Sequence, residues 1–319
     1  MTKVYLFRAD VAAYCDDAQA LLEEIKKENP SRVSLHIFDV DRDRRIARKF
    51  RVSQVPTIIV DESLRFTRVP SRDELLRALE AKRRKVPTGI GFVDAMTRGG
   101  MTRGDAVLVE GDVGVGKTSF CVQVSARALK EGLNAVYLCT NETPDELREK
   151  LALIEDGSTA SKLSVVDLYS WRLGEIYKSS EDFTTESITD LAKLLAVIAK
   201  AIQKGDPGDC ILFLDSISEL LLHNPLEEVV YFCEKLSARL KVNRTTGVFV
   251  LEDIHPSEYR ETMRFLANEI YELRLDRDDE LRRKFRVYKT RLGDHAKHWV
   301  LYQITGRGLV TEEPFRWEQ

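Results

Sequence analysis

The chain opens on an apolar run bounded by charge. "KVYLFRA" (3–9) sets four apolar positions between Lys3 and Arg8 and predicts a strand. "DDAQALLEEIKKEN" (16–29) places Ala18, Leu21, Leu22 and Ile25 at helical spacing and stops before Pro30. "VSLHIFDVD" (33–41) alternates as a second strand, and "RRIARKF" (44–50) predicts a short helix. "SQVPTIIVD" (53–61) predicts a third strand, entered through a turn at Pro56. "SRDELLRALEA" (71–81) is a helix with Ser71 and Glu74 at capping-box spacing. The result is a βαβαβ…α unit. "KRRKVPTGIG" (82–91) then interrupts the periodicity with a basic run, Pro87 and two glycines, which puts a boundary near Lys82–Val86. The expected division is a domain over 1–82, a linker over 83–87 and a second domain over 88–319.

The second stretch has a different rhythm. Continuous apolar runs at Ala106–Val109, Val136–Cys139 and "CILFLD" (210–215) predict buried strands of an α/β sheet. A helical pattern follows each of them. "EDFTTESITDLAKLLAVIAKAIQKGDPG" (181–208) predicts one long helix, with Ile188, Leu191, Leu194, Leu195, Ile198 and Ile202 as a single stripe packed on the sheet.

Composition narrows the classes. With 319 residues, 43% hydrophobic and 32% charged, the chain has the make-up of a two-domain globular protein. No apolar run reaches membrane-spanning length. Arg8 and Asp10 stand where a signal peptide needs a longer apolar stretch, so a cytoplasmic protein is expected. Five scattered cysteines (Cys15, Cys121, Cys139, Cys210, Cys233) match no metal-ligand spacing and read as reduced thiols. Charge is uneven: residues 1–85 hold 19 Lys+Arg against 14 Asp+Glu, and the remainder 30 against 38. The basic surplus concentrates in "RDRRIARKFR" (42–51), either a solvated helix face or a surface that docks on an acidic one.

The strongest chemical signal is "VLVEGDVGVGKTSFCVQV". Here GxxxxGK[ST] lies between a predicted strand and a predicted helix, the setting in which a phosphate-binding loop works. Glycines let backbone N–H groups turn inward around phosphate oxygens, and the following helix aims its N-terminal dipole at the anion. Gly111, Asp112, Val113, Gly114, Val115, Gly116, Lys117, Thr118 and Ser119 are therefore the candidate nucleotide-binding residues. Lys117 would reach the β- and γ-phosphates and the Thr118 hydroxyl would ligate Mg²⁺. Asp215, at the end of its apolar strand, would hold Mg²⁺ through water. Glu142 follows the strand Val136–Cys139; read as the neighbour of the phosphate-loop strand, it is the candidate to polarise the attacking water.

Two family resemblances extend this reading. Residues 1–82, with Cys15 between the first strand and first helix and Val55-Pro56-Thr57 before the third strand, resemble the thioredoxin/glutaredoxin fold. The resemblance implies a cis Pro56 against Cys15. The family's second cysteine is replaced by Ala18, and disulfide exchange within one domain needs a resolving thiol. Monothiol exchange or a non-catalytic docking role remain. Residues 86–319 resemble the KaiC-like branch of the RecA/RadA ATPases. The matching segments are "PTGIGFVDAMTRGGMTRGDAVLVEGDVGVGKTSFCVQV", "NAVYLCTNETPDELREKL", "VVDLYSWRLGE" and "ILFLDSISELL". This implies a RecA-like P-loop core that uses ATP and Mg²⁺. The family's Glu-Glu pair is Asn141-Glu142 here, so Glu142 carries over as general base. The family's Lys-x-Arg…His pattern falls on Lys289, Arg291 and His295, residues that act on a neighbour's nucleotide and so imply a ring of identical subunits, a hexamer.

The segment after Asp215, "SISELLLHNPLEEVVYFCEKLSARL", is apolar and acidic and lacks the basic, aromatic groove of a single-strand binder. "RRKFR" (282–286) reads as a hairpin edge. The expected function is a slow, oligomeric Mg-ATP-dependent ATPase serving as a regulatory switch, with the N-terminal domain as sensor or docking module. The alternatives are a nucleotide-gated assembly module with little turnover and a RecA/RadA-type DNA-binding ATPase. The downstream protein partner is not specified by the sequence.

Overall fold

The structure, a computed structural model, describes residues 2–9, 13–28, 30, 33–60, 64–83, 85–154, 162–176, 181, 183–185, 187–205, 207–276, 282–291, 295–306, 308–311 and 315. The chain separates into two compact units, Met1–Arg84 and Lys85–Gln319.

The first unit runs β1 (Thr2–Arg8), α1 (Ala13–Glu28), β2 (Val33–Asp39), α2 (Arg44–Lys49), β3 (Thr57–Val60), β4 (Leu64–Phe66) and α3 (Arg72–Arg83). Its sheet has the order β2-β1-β3-β4, with β1 parallel to β2 and antiparallel to β3. β1 is apolar on both faces because both are covered. Val4 and Leu6 pack with Ala18, Leu22 and Ile25 of α1 and Leu75 and Leu79 of α3. Tyr5 and Phe7 point the other way and pack with Ala47 of α2, Ile59, Phe38 and Phe50. The Val55–Pro56 peptide is cis, and β3 begins only after it, at Thr57. One expectation is corrected and one strand was not foreseen. Cys15 does not lie between strand and helix: α1 starts at Ala13, and the thiol is turned inward with 0% exposure. The three-residue strand β4 was too short to give a periodic signal.

The second unit runs β5 (Lys85–Val86), α4 (Gly91–Met96), β6 (Met101–Thr102), β7 (Ala106–Gly111), α5 (Lys117–Lys130), β8 (Asn134–Cys139), α6 (Pro144–Ala152), β9 (Leu163–Asp167) and β10 (Phe183–Thr184). It continues with α7 (Leu191–Gln203), β11 (Cys210–Asp215), α8 (Ile217–His223), α9 (Leu226–Asn243), β12 (Thr246–Glu252), α10 (Ser257–Leu266), β13 (Glu269–Asp276), β14 (Arg282–Lys289), β15 (Val300–Thr305) and β16 (Gly308–Val310). Ten strands form one sheet in the order β10-β9-β8-β11-β12-β7-β13-β14-β15-β16. It is parallel from β10 through β13 and antiparallel beyond. This is a RecA-like α/β core. Its central strands are buried on both faces, as their unbroken apolar runs require. Val107, Val109, Ile211 and Phe213 face α4, α5 and α6. Leu108, Leu212 and Leu214 face α7, α8, α9 and α10. Among the described residues no helix is long and apolar enough to cross a membrane.

Three sequence readings are revised here. The long helix expected over 181–208 is a two-residue strand, β10, followed by the shorter α7. Ile188 of the predicted stripe is buried but precedes the helix, and Asp190 stops the helix from extending back by capping Lys193 N–H at 2.8 Å. "RRKFR" is not an edge, because β14 is paired on both sides, with β13 and β15. Finally β8 is not the neighbour of β7: β11 and β12 lie between them.

One polar network crosses the sheet next to the site. Glu110 of β7 and Glu272 of β13 stand opposite each other in register and are 1% and 2% exposed. Arg264 of α10 joins them, its Nε 2.9 and 3.0 Å from the two Glu110 oxygens and one terminal nitrogen 2.6 Å from Glu272. Arg286 donates to Glu272 from the far side. The two guanidiniums lie over the Tyr288 ring at 4.8 and 5.2 Å.

Candidate functional site

The phosphate loop grows from the end of β7 and ends at the first turn of α5. Its geometry explains two of its glycines. Gly111 is paired with Leu273 of β13, and a Cβ there would lie 1.8 Å from the Leu273 carbonyl oxygen. Gly116 takes φ +103°, where side chains are strained, and its Cβ would meet Ile304 Cδ1 at 2.4 Å. Asp112 anchors the loop laterally: its carboxylate accepts from Leu275 N–H at 2.7 Å and faces Arg274 at 3.5 Å. Val115 is fully buried and its carbonyl accepts from Tyr302 OH at 2.7 Å. Val113 is 63% exposed at the tip, while Thr118 and Ser119 are half-buried on the first turn of α5.

Lys117 turns back under this loop. It is 4% exposed, and its Nζ donates to Gly111 O at 3.0 Å and Asp112 O at 2.6 Å. Burial pulls its pKa below the ordinary lysine value, against the pull of Glu252 and Asp215. Asp215, 7% exposed at the end of β11, accepts from Tyr137 OH at 2.9 Å. Burial pushes its carboxyl up, while the hydroxyls of Thr118 and Tyr137 favour the charged form. Its backbone is held as well. Thr140 Oγ1 donates to Asp215 O and accepts from Ser216 N–H, both at 2.6 Å, across a cis Asp215–Ser216 peptide. The Thr118 hydroxyl and the Asp215 carboxylate are hard oxygen donors of the kind that would suit Mg²⁺ beside a phosphate. Among the described residues there is no group of three or more His, Cys, Asp or Glu that could hold a metal by itself.

The strand order changes the reading of Glu142. The carboxylate on the strand next to the phosphate loop is not Glu142, which follows β8, but Glu252, at the end of β12 and in register with Gly111. Glu252 Oε1 lies 3.6 Å from Lys117 Nζ, and its Oε2 is buried without a hydrogen-bond partner among the described residues. The sequence did contain the signal: "VFVLE" is an apolar run ending in an acid, the same grammar that singled out "ILFLD". Glu142 follows β8, on the far side of Asp215. Its carboxylate is 12% exposed and ion-paired with Lys150 of α6. Burial raises its pKa and Lys150 opposes that rise. Asn141 beside it is exposed. The chain leaves this corner through a capping box: Thr143 Oγ1 accepts from Glu146 N–H at 3.2 Å, the Glu146 carboxylate accepts from Thr143 N–H at 2.8 Å, and Pro144 opens α6.

Lys289, Arg291 and His295 are not brought to this site. Lys289 Nζ donates to Ala267 O at 2.7 Å, and Arg291 lies 3.4 Å from Asp105. His295 Nδ1 is 3.0 Å from Thr290 Oγ1. Asp105 immediately precedes β7 and the phosphate loop follows it, so six residues of strand, about 20 Å, separate the two ends. Neither Lys289 nor Arg291 reaches the loop of its own chain.

Comparison with known proteins agrees with this architecture. The family described as "ATPase: KaiC" matches residues 86–314. A UPF0273 protein of Thermotoga maritima is 24% identical, over 71% of this chain and 95% of its own length. A UPF0273 protein of Aeropyrum pernix is 28% identical, over 71% of this chain and 92% of its own. The circadian clock protein KaiC3 of Synechocystis is 27% identical over 71% of this chain, which spans 45% of that longer protein. Among solved structures, a KaiC-like protein of Pyrococcus horikoshii superposes with a TM-score of 0.58 at 22% identity, covering 72% of this chain and 99% of that one. With its phosphate loop, its RecA-like sheet and this match over residues 86–314, the chain belongs to the KaiC family of ATPases.

Proposed function

We propose that the protein is an oligomeric, Mg²⁺-dependent ATPase that serves as a cytoplasmic regulatory switch. The observation that carries this reading is the convergence of Lys117, Thr118 and Asp215 on one phosphate loop. In the proposed site the loop residues Gly111–Ser119 surround the phosphates and Lys117 holds the β- and γ-phosphate oxygens. Thr118 and, through water, Asp215 would hold Mg²⁺, which when bound would supply charge neutralisation at the phosphates. Glu142 is the proposed base: leaving Lys150, its carboxylate would orient and deprotonate the attacking water. Lys289 and Arg291 serve the neighbouring subunit, a role supported by their distance from their own loop. Six copies in a ring, with ATP between subunits, is the arrangement the family resemblance implies.

Residues 1–82 form the proposed thioredoxin-like module, followed by a linker over 83–87 and the ATPase domain over 88–319. The β2-β1-β3-β4 sheet and the cis Pro56 support the thioredoxin-like reading, and the buried Cys15 favours docking over redox exchange. The test is Mg²⁺-dependent phosphate release by the full chain, expected to vanish in Lys117→Ala. If the full chain releases no phosphate under any condition, the catalytic reading is wrong.

A second reading, a nucleotide-gated assembly module with little turnover, is favoured by Asn141 and by the Lys150 partner of Glu142. Sedimentation with and without ATP, run beside the release assay, separates the two: ATP-dependent assembly without release supports the second.

A further inference from the structure

The surroundings of Lys117 contain more negative charge than one lysine can balance. Three carboxylates act on its ammonium: Glu252, Asp215 and Asp112, in that order of strength. Arg274, on the strand β13 that flanks the loop, is committed to Asp253 and Asp112. Of the three acids, Asp215 is occupied by Tyr137 OH and Asp112 by Leu275 N–H. Glu252 differs. Its backbone N–H is fixed by Ser218 Oγ at 2.8 Å, one oxygen faces Lys117, and the other is buried with no hydrogen-bond partner among the described residues. A phosphate oxygen arriving at Lys117 therefore meets a carboxylate at the same time as the ammonium.

We infer that Glu252 is a positioning residue that acts as a counter-anion within the phosphate site, holding Lys117 under the loop and making polyphosphate binding conditional on a divalent cation. This rests on the reading of the loop as an ATP site. A carboxylate beside the lysine cancels much of the attraction the lysine offers to phosphate, so a nucleotide without metal is bound weakly. The charge that arrives with Mg²⁺ restores the balance. Because Lys117 serves the β- and γ-phosphates, the repulsion from Glu252 grows along the phosphate chain and is larger for ATP than for ADP.

The experiment is isothermal titration calorimetry of the full chain with ATP and with ADP, each in excess MgCl₂ and in EDTA, on wild type, Glu252→Gln and Glu252→Ala. In EDTA, Glu252→Gln is expected to bind ATP about a hundredfold tighter than wild type, the scale for removing one like charge about 6 Å away at an effective dielectric constant of about 20. The gain for ADP is smaller, and the ratio of affinities with and without MgCl₂ shrinks in both variants. Thermal melts establish that each variant is folded. If wild type binds ATP with MgCl₂ but Glu252→Gln in EDTA binds it no tighter, or gains equally for ATP and ADP, the counter-anion role is wrong and the nucleotide site stands. If wild type binds no nucleotide even with MgCl₂, the nucleotide site itself is wrong and the role of Glu252 goes with it.

Discussion

Replacing Arg264 with Met removes the cation that holds two buried carboxylates together. Arg264 makes four hydrogen bonds to Glu110 and Glu272. Methionine keeps much of the stem's packing and leaves Glu110 without a partner in a position 1% exposed, facing Glu272 across the β7–β13 ladder. Arg286 stays on Glu272. Removing one partner of a buried ion pair costs about 3–5 kcal/mol, and the in-register second carboxylate argues for the upper part of that range. Arg127→Met is the control: its pair with Glu131 is 41% and 43% exposed, and the loss there is within about 0.5 kcal/mol.

Urea denaturation followed by tryptophan fluorescence reads the ATPase unit alone, since Trp171, Trp299 and Trp317 all lie beyond residue 85. The pH dependence follows from sign. Burial already raises the Glu110 pKa in the wild type. Without Arg264 it rises further above its unfolded value, so the folded state takes up the proton first as pH falls. The deficit of Arg264→Met against wild type therefore shrinks as pH falls from neutrality toward the ordinary carboxylate range. Adding Glu110→Gln recovers part of it at the higher pH. A loss no larger than that of Arg127→Met, or a deficit unchanged by pH and by Glu110→Gln, would refute the account of this network.

Further outcomes follow from other parts of the structure. Gly116→Ala combines backbone strain with a collision at Ile304 Cδ1, so it destabilises by about 2–3 kcal/mol; Ile304→Val removes that atom, and calorimetric melting of the double variant should lie above that of Gly116→Ala. Cys15, fully buried, should react with a thiol reagent only on unfolding, and Cys15→Ser should leave ATP affinity unchanged; fast labelling of the native thiol would restore the redox reading. For the proposed action between subunits, Lys117→Ala and Arg291→Ala should each lose phosphate release, and mixing the two inactive proteins should recover part of it; no recovery in mixtures that demonstrably exchange subunits would place Arg291 outside the neighbour's site.

Local patterns were enough to place the glycine-rich loop between β7 and α5. Its glycines, Lys117 and Thr118 are contiguous, and the strand–loop–helix setting is encoded on either side. What the sequence hid was lateral order. Nothing local states that β12 inserts between β11 and β7, and this order alone decides that Glu252, not Glu142, stands beside the loop. The Glu142–Lys150 pair was hidden for a similar reason, since its partners lie on either side of a helix start. Segment 181–208 was misjudged because apolar spacing continues through Ile188, while the Asp190 cap that ends the helix outranks it locally. Cys15 was placed by analogy, and the first turn of α1 turned it into the core.

The corner that holds Glu142 also sets what its proposed action as a base would demand of the chain. β8 ends at Cys139 and the Thr143 cap begins α6, so the backbone between them spans only Thr140, Asn141 and Glu142. Thr140 is tied to Asp215 and Ser216, and Lys150 rides on the same helix that the cap secures. A transfer of the carboxylate from Lys150 to a water is thus a rotation about side-chain bonds, with no loop to reorganise. In the proposed mechanism the release of this carboxylate would therefore ask no backbone movement of the chain, and a slow step would fall to bond breaking at the phosphate or to the movement of whole subunits.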